Sequence, residues 1–277
     1  MNLGKGLKLV LFTTLVMIST VVLRAENIWD LEAVYADGLG SHLKVGASIT
    51  PNNKVVVVGI ALNNTAEYLA TTTMWQVYVQ AEAPDHGGIA AWAGTFYWGA
   101  PWPRYPLDIQ AGDRIQIEGF IEDARGKVNI TERHSPDPSI TFTVTKLQSG
   151  FGMPVPQVIT NLADCNYFDQ TRAGGGEKYQ AQWVKLNRVH IASGTWGNNQ
   201  SLLLADDAGS TLTILLSAMG DFDSHPAPTG NFQVTGIFDQ EDLAAPYIDS
   251  YRLWVKRYSD IEILTGVMDW HEYEFKE

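Results

Sequence analysis

The chain has 277 residues, with 31 Asp and Glu against 19 Lys and Arg, and so carries a formal net charge of −12. A composition that is 45% hydrophobic and 11% aromatic can bury a core and excludes a chain that stays disordered, while the acidic balance excludes a bulk cationic binder. The 25 Gly and 12 Pro, spread among short apolar stretches, point to many strands joined by turns in one or two domains.

Lys5 and Lys8 precede an apolar run from Leu9 to Leu23 that ends at Arg24 and Ala25. This is the layout of a signal peptide over residues 1–25, with cleavage expected after Ala25 and a secreted or periplasmic mature chain. The run is shorter than the roughly 20 residues of a spanning helix, so no membrane span is expected after cleavage. Removal leaves 16 basic and 31 acidic side chains, a net of −15 over 252 residues. Nucleic acid is therefore not expected as a tight ligand, since phosphate binding scales with Lys and Arg contacts and no basic run occurs. Cys165 is the only cysteine, which excludes an intrachain disulfide and a Cys-based zinc site; it reads as a small buried hydrophobe.

Strand signals then follow in order. Lys54 to Leu62, KVVVVGIAL, reads as a buried extended segment. In Trp75 to Ala81, Gln76, Tyr78 and Gln80 share one face and Trp75, Val77 and Val79 the other, the two-residue period of a half-covered strand. Pro84 to Gly88 supplies turn chemistry, and Ile89 to Ala93 returns as a partner. From Gly112, RIQIEGFIEDARGKVNIT reads as strand, turn at Asp123 to Gly126, and strand, and Ile140 to Leu147 as an extra strand. The order then repeats. Tyr179 to Ile191 is a long strand able to bend across two faces, Ser201 to Ala205 and Thr211 to Leu216 form a hairpin, and Gly230 to Phe238 mirrors Gly112 to Ile121. Each of the mirrored strands has an inner Gly, read as a bulge or a tight corner.

Five strands with a gap between the third and fourth is the layout of an OB-fold, a small Greek-key barrel. The expected fold is all-β: two tandem OB-fold-like five-stranded barrels, over 26–150 and 151–265, followed by an acidic aromatic tail, 266–277. The segments VVVVGIAL, MWQVYVQ, GDRIQIEGFIED and KYQAQWVKLNRVHI, with PVPQVITNLADC leading into the second unit, resemble tandem OB-fold regions of secreted bacterial proteins. Some of those regions are attached to extracellular nucleases and some have no known activity. The resemblance implies a fold and carries no catalytic signature.

The segment Trp92 to Tyr105 holds Trp92, Phe96, Tyr97, Trp98, Trp102 and Tyr105 among Gly and Pro. Exposed rings there could stack on sugar faces or bases; buried, they would plug the barrel or fill a contact between the units. The OB-fold ligand face adds Tyr78, with Gln76 and Gln80 beside it. In the second unit the loop Asp239 to Tyr251 carries Glu241, Asp242 and Asp249, read as a solvated acidic loop. Asp221, Asp223 and His225 alternate in GDFDSH, a weak pattern for a metal, and none is expected. No GxSxG, HExxH or GxxxxGK[ST] motif occurs, so no enzyme activity and no cofactor are expected. The expected function is a secreted non-catalytic binding module for a glycan or other polymer. The alternatives are a structural or protein-assembly role with a protein partner, or single-stranded nucleic-acid binding.

Overall fold

The structure, a computed structural model, describes residues 25–42, 53–65, 67, 74–94, 108–132 and 142–264. The fold is mostly β. A short helix α1 (Ile28–Leu31) precedes β1 (Val55–Ala61), β2 (Met74–Gln80), β3 (Gly88–Gly94), β4 (Arg114–Ala124), β5 (Lys127–Thr131) and β6 (Thr143–Gln148). These strands pair in the order β1-β2-β3-β5-β4, and β4 returns to β1 to close a five-stranded barrel; β6 adds to the free edge of β4. Within the ring only β3 and β5 run parallel.

A second sheet comprises β7 (Gln157–Ile159), β8 (Trp183–Gly194), β9 (Ser201–Asp206), β10 (Thr211–Leu216), β11 (Phe232–Gln240), β12 (Tyr251–Val255) and β13 (Ile261–Ile263). Its pairings repeat the first set: β8-β9-β10-β12-β11, with β11 also on β8 and β10–β12 the parallel pair. As β6 lies on β4, so β13 lies on β11.

Period-two alternation decides which residues enter each core. In the first sheet Val55, Val57, Val77, Val79, Ile89, Ala91, Ile115, Ile117, Val128 and Ile130 point inward into one apolar cluster, which Ile28 and Leu31 of α1 also enter. In the second, Val184, Leu186, Leu204, Leu212, Ile214, Val234, Phe238, Leu253 and Val255 do the same. A β4–β5 turn with φ of 57° at Arg125 and 86° at Gly126 makes the two-residue hairpin whose twist suits antiparallel strands. Of the two expectations for the mirrored glycines, the corner holds: β4 passes from β1 to β5 between Gly119 and Phe120, and β11 from β8 to β12 at Ile237, beside Gly236. Neither Gly119 nor Gly236 is the bulge; a Cβ on Gly119 would meet the Phe142 ring at 2.8 Å, and one on Gly236 the Trp254 carbonyl at 2.5 Å. Close approach of a neighbour requires glycine at both, and the register shifts fall near the strand starts, at Arg114/Ile115 and Phe232/Val234.

The long strand predicted from Tyr179 begins only at Trp183. Ala181 has a φ of 53°, and its carbonyl lies where a Cβ on Gly88 would sit, so this stretch is bent to bring it against the first barrel. It does bend further on: β8 pairs with β11 through Trp183–Val189 and with β9 through Val189–Gly194.

The two sheets meet through residues that point away from their own cores. Leu62, Tyr78 and Ala90 from the first pack with Ala181, Trp183, Ile237 and Trp254 from the second, and Leu215 lies against them. Tyr78 and Trp254 rings are 5.9 Å apart. Large apolar side chains at outward strand positions would be costly in water, and here they cover one another.

Candidate functional site

The outer face of the first barrel is built from alternate residues of three adjacent strands. Register places Gln76 of β2 beside Trp92 of β3, and Trp92 beside Thr131 of β5; one step along, Tyr78, Ala90 and Asn129 form the next row. Docking of the second sheet divides this face. The rows nearer to it are sealed: Tyr78 is fully buried, with its hydroxyl donating to Asp239 Oδ1 at 2.8 Å, and Gln80 Oε1 accepts from Trp183 N at 2.8 Å. Tyr78 therefore belongs to the contact between the sheets and presents no ring to a ligand.

The Gln76–Trp92–Thr131 row, with Asn129 at the open end of the Tyr78 row, forms an open cleft of about 370 Å³, with Glu122, Asp123, Arg125, Lys127 and Glu241 around it. Trp92 is half-buried. Gln76 is 6% exposed, and its side-chain amide makes no hydrogen bond to any described residue. Buried polar groups are almost always hydrogen-bonded, so this amide in the cleft wall is open to water or to a molecule that enters. Asn129 donates to the Lys127 carbonyl at 3.2 Å, which holds its carboxamide in place.

The cations at the rim are engaged. Lys127 Nζ lies 2.8 Å from Asp239 Oδ1 and 3.1 Å from Glu241 Oε2. Arg252 reaches Asp239 Oδ2 at 2.7 Å and Glu241 Oε2 at 3.1 Å, and Arg125 pairs with the other oxygen of Glu241. Burial alone would raise the Asp239 carboxyl, but Lys127 and Arg252 outweigh it and hold the group below its ordinary value. Glu241 is likewise held low: Lys127, Arg125 and Arg252 outweigh its burial. The loop expected to be a solvated acidic one is so only in part. Glu241 walls the cleft, Asp242 is 6% exposed and accepts from Ala244 N at 3.1 Å, and Asp249 follows in the same folded loop. Glu241 thus serves ion pairing across the sheets and Asp242 turn capping, while residues 243–246 and Asp249 are exposed, as expected.

No protein-family model matches the chain, and no characterised protein matches its sequence.

Of the site residues expected from sequence, the structure places Trp92 in the cleft and Tyr78 in the sealed rows, while Phe96, Tyr97, Trp98, Trp102 and Tyr105 lie outside the described residues. Asn129 and Thr131 were not singled out, although the strand alternation that selects Gln76 also selects them. Asp221 and Asp223 serve the backbone: Asp221 Oδ1 accepts from Tyr258 N at 2.7 Å and Asp223 Oδ1 from Asn198 N at 3.0 Å. His225 stacks on Tyr258 with ring centroids 4.1 Å apart. Among the described residues no group of three His, Cys, Asp or Glu is arranged to hold a metal. Cys165 is buried, and desolvation pushes its thiol up to about 12, so it is no nucleophile at physiological pH.

Proposed function

We propose that the protein is a secreted, non-catalytic binding module of two OB-folds that takes a stretch of uncharged glycan in the cleft of its first barrel. The pairing order 1-2-3-5-4-1 in both sheets, with the third and fifth strands parallel, supports the OB-fold reading. OB-folds bind oligonucleotides and oligosaccharides on strands two and three and the loop joining strands four and five; here those elements supply Gln76, Trp92 and Arg125 to one cleft.

The observation that carries the ligand class is the unpartnered amide of Gln76 beside the half-buried ring of Trp92. A flat aromatic ring covers the apolar face of a sugar, and a carboxamide both donates to and accepts from its hydroxyls. Bases could use the same groups, but Glu122, Asp123 and Glu241 at the rim repel phosphate, and the nearby Lys127 and Arg125 already hold carboxylates. A protein partner is the second reading, favoured by the exposed Phe151, Met153, Val155 and Val158 between and beside the two sheets.

Isothermal titration against a panel of neutral polysaccharides, and against single-stranded oligonucleotides at low and physiological salt, tests the proposal. Binding of at least one neutral polymer, little changed by salt, is expected. Tight, salt-sensitive binding of oligonucleotides alone would overturn it in favour of nucleic acid.

A further inference from the structure

Segment 26–42 runs as a strap across both halves of the molecule. Glu26 N donates to the Val56 carbonyl at 2.7 Å, and Asp85 accepts from Ile28 N at 2.6 Å and Trp29 N at 3.2 Å, which fixes α1 to the first barrel. Further along, Tyr247 N donates to the Asp37 carbonyl at 2.8 Å. Gly40 N donates to Asp123 Oδ1 at 2.8 Å, and Asp123 is a wall residue of the cleft.

Between these ties lies a charge arrangement that neither barrel core uses. Glu32 on the strap is 5% exposed, and its carboxyl makes no hydrogen bond to any described residue. Glu177, ahead of β8, is 2% exposed and accepts from the Tyr251 hydroxyl at 2.7 Å. Arg172 is the cation that acts on both, yet its guanidinium donates to the Trp29 carbonyl at 2.5 Å and lies over the Trp29 ring at 4.0 Å. The other charged or titratable groups that face the cluster are Asp30 and Asp85, with His86 packed on Trp29 at 4.3 Å. Among the described residues neither buried carboxyl forms an ion pair with that cation, whose guanidinium is committed to Trp29. Full ionisation leaves a negative charge buried without compensation.

We propose that Glu32, Arg172 and Glu177 form a pH-sensitive latch that holds the strap against the second sheet, shut in mildly acidic surroundings and loosened above neutrality.

The direction follows from linkage. Burial raises Glu177 from its ordinary 4.5 to about 7, against the pull of Tyr251, Gln180 and Arg172. Burial also raises Glu32 well above the usual carboxylate range; Arg172 opposes this, and Glu177 and Asp85 add to it. The latched form thus keeps protons that the released form gives up. Its advantage is full below 4.5 and is lost as pH rises through about 7. Each carboxylate disfavours ionisation of the other, so the two titrate as a pair. Glu177 alone changes the latch equilibrium by roughly 30-fold between pH 5.5 and 8.5.

Hydrogen–deuterium exchange of the full mature chain at pH 5.5 and 8.5, corrected for intrinsic exchange, tests the latch. Protection of amides in 30–42 is expected to fall by about 30-fold or more in the wild type, while amides of β9 and β10 keep theirs. Each neutral variant, Glu32→Gln or Glu177→Gln, is expected to shrink that loss, and the double variant to keep the strap protected at pH 8.5. Should Glu177→Gln fail to fold, Glu32→Gln alone decides. Equal strap protection at both pH values in the wild type, or an undiminished pH response in Glu32→Gln, would overturn the proposal.

Discussion

Asp239→Ala is expected to destabilise the protein by about 3–5 kcal/mol, measured by urea unfolding at pH 7. Asp239 is 1% exposed and is the point where Lys127, Arg252 and the Tyr78 hydroxyl converge from both sheets. Removing its carboxylate takes away the acceptor on which Lys127, Arg252 and the Tyr78 hydroxyl converge in a desolvated seam, and leaves Glu241 as the carboxylate that both cations still reach. Breaking a buried pair from one side carries that cost, whereas replacing the whole cluster with apolar groups would not. Because the Asp239 carboxyl is held below its ordinary value of 3.8, its contribution is present above that pH and is lost as pH falls through the lower folded value. The wild type should therefore lose stability steeply in strong acid, and Asp239→Asn should flatten that limb. A cost under about 1 kcal/mol for Asp239→Ala would show that the seam is solvated.

Trp254→Ala is expected to cost a further class of energy, about 3–5 kcal/mol, by emptying the apolar half of the same seam. Trp254 is 2% exposed, stands outward from its own sheet and packs toward Tyr78, Ala90 and Trp183. The cavity would open between the two sheets and not inside either core, so each set of core strands should keep its own packing. Calorimetry should then resolve one cooperative transition into two, the first shifted down. A single transition with an unchanged midpoint would mean that Trp254 contributes nothing to the seam.

Much of the strand pattern was legible because alternation is a local property. The four consecutive valines of β1 mark a buried strand by their β-branched run, and the β4 and β5 pair and the β9 and β10 hairpin follow from which side chains recur every second residue. The division of the outer face was not legible. Gln76, Tyr78 and Gln80 are equivalent by alternation, and only the docking of Trp183, Ile237 and Trp254 separates the first from the other two. A signal did exist in the sequence: these three large apolar residues occupy strand positions opposite in parity to their own core, which marks a covered outer face. The acidic loop after β11 misled in part, for a different reason. Glu241 and Asp239 find Lys127 and Arg125 more than a hundred positions earlier in the chain, and no local pattern records such a pairing.

One barrel face thus divides into a seam between the two sheets and an open cleft, the proposed ligand site. The most direct test compares Trp92→Ala with Tyr78→Phe, following both melting temperature and binding to the neutral polysaccharide that the wild type retains best. Trp92→Ala should weaken binding at least tenfold, roughly 1.4 kcal/mol, with a small change in melting temperature; Tyr78→Phe should lower the melting temperature and leave the affinity per folded molecule unchanged. Lost binding in Tyr78→Phe together with full binding in Trp92→Ala would contradict the division.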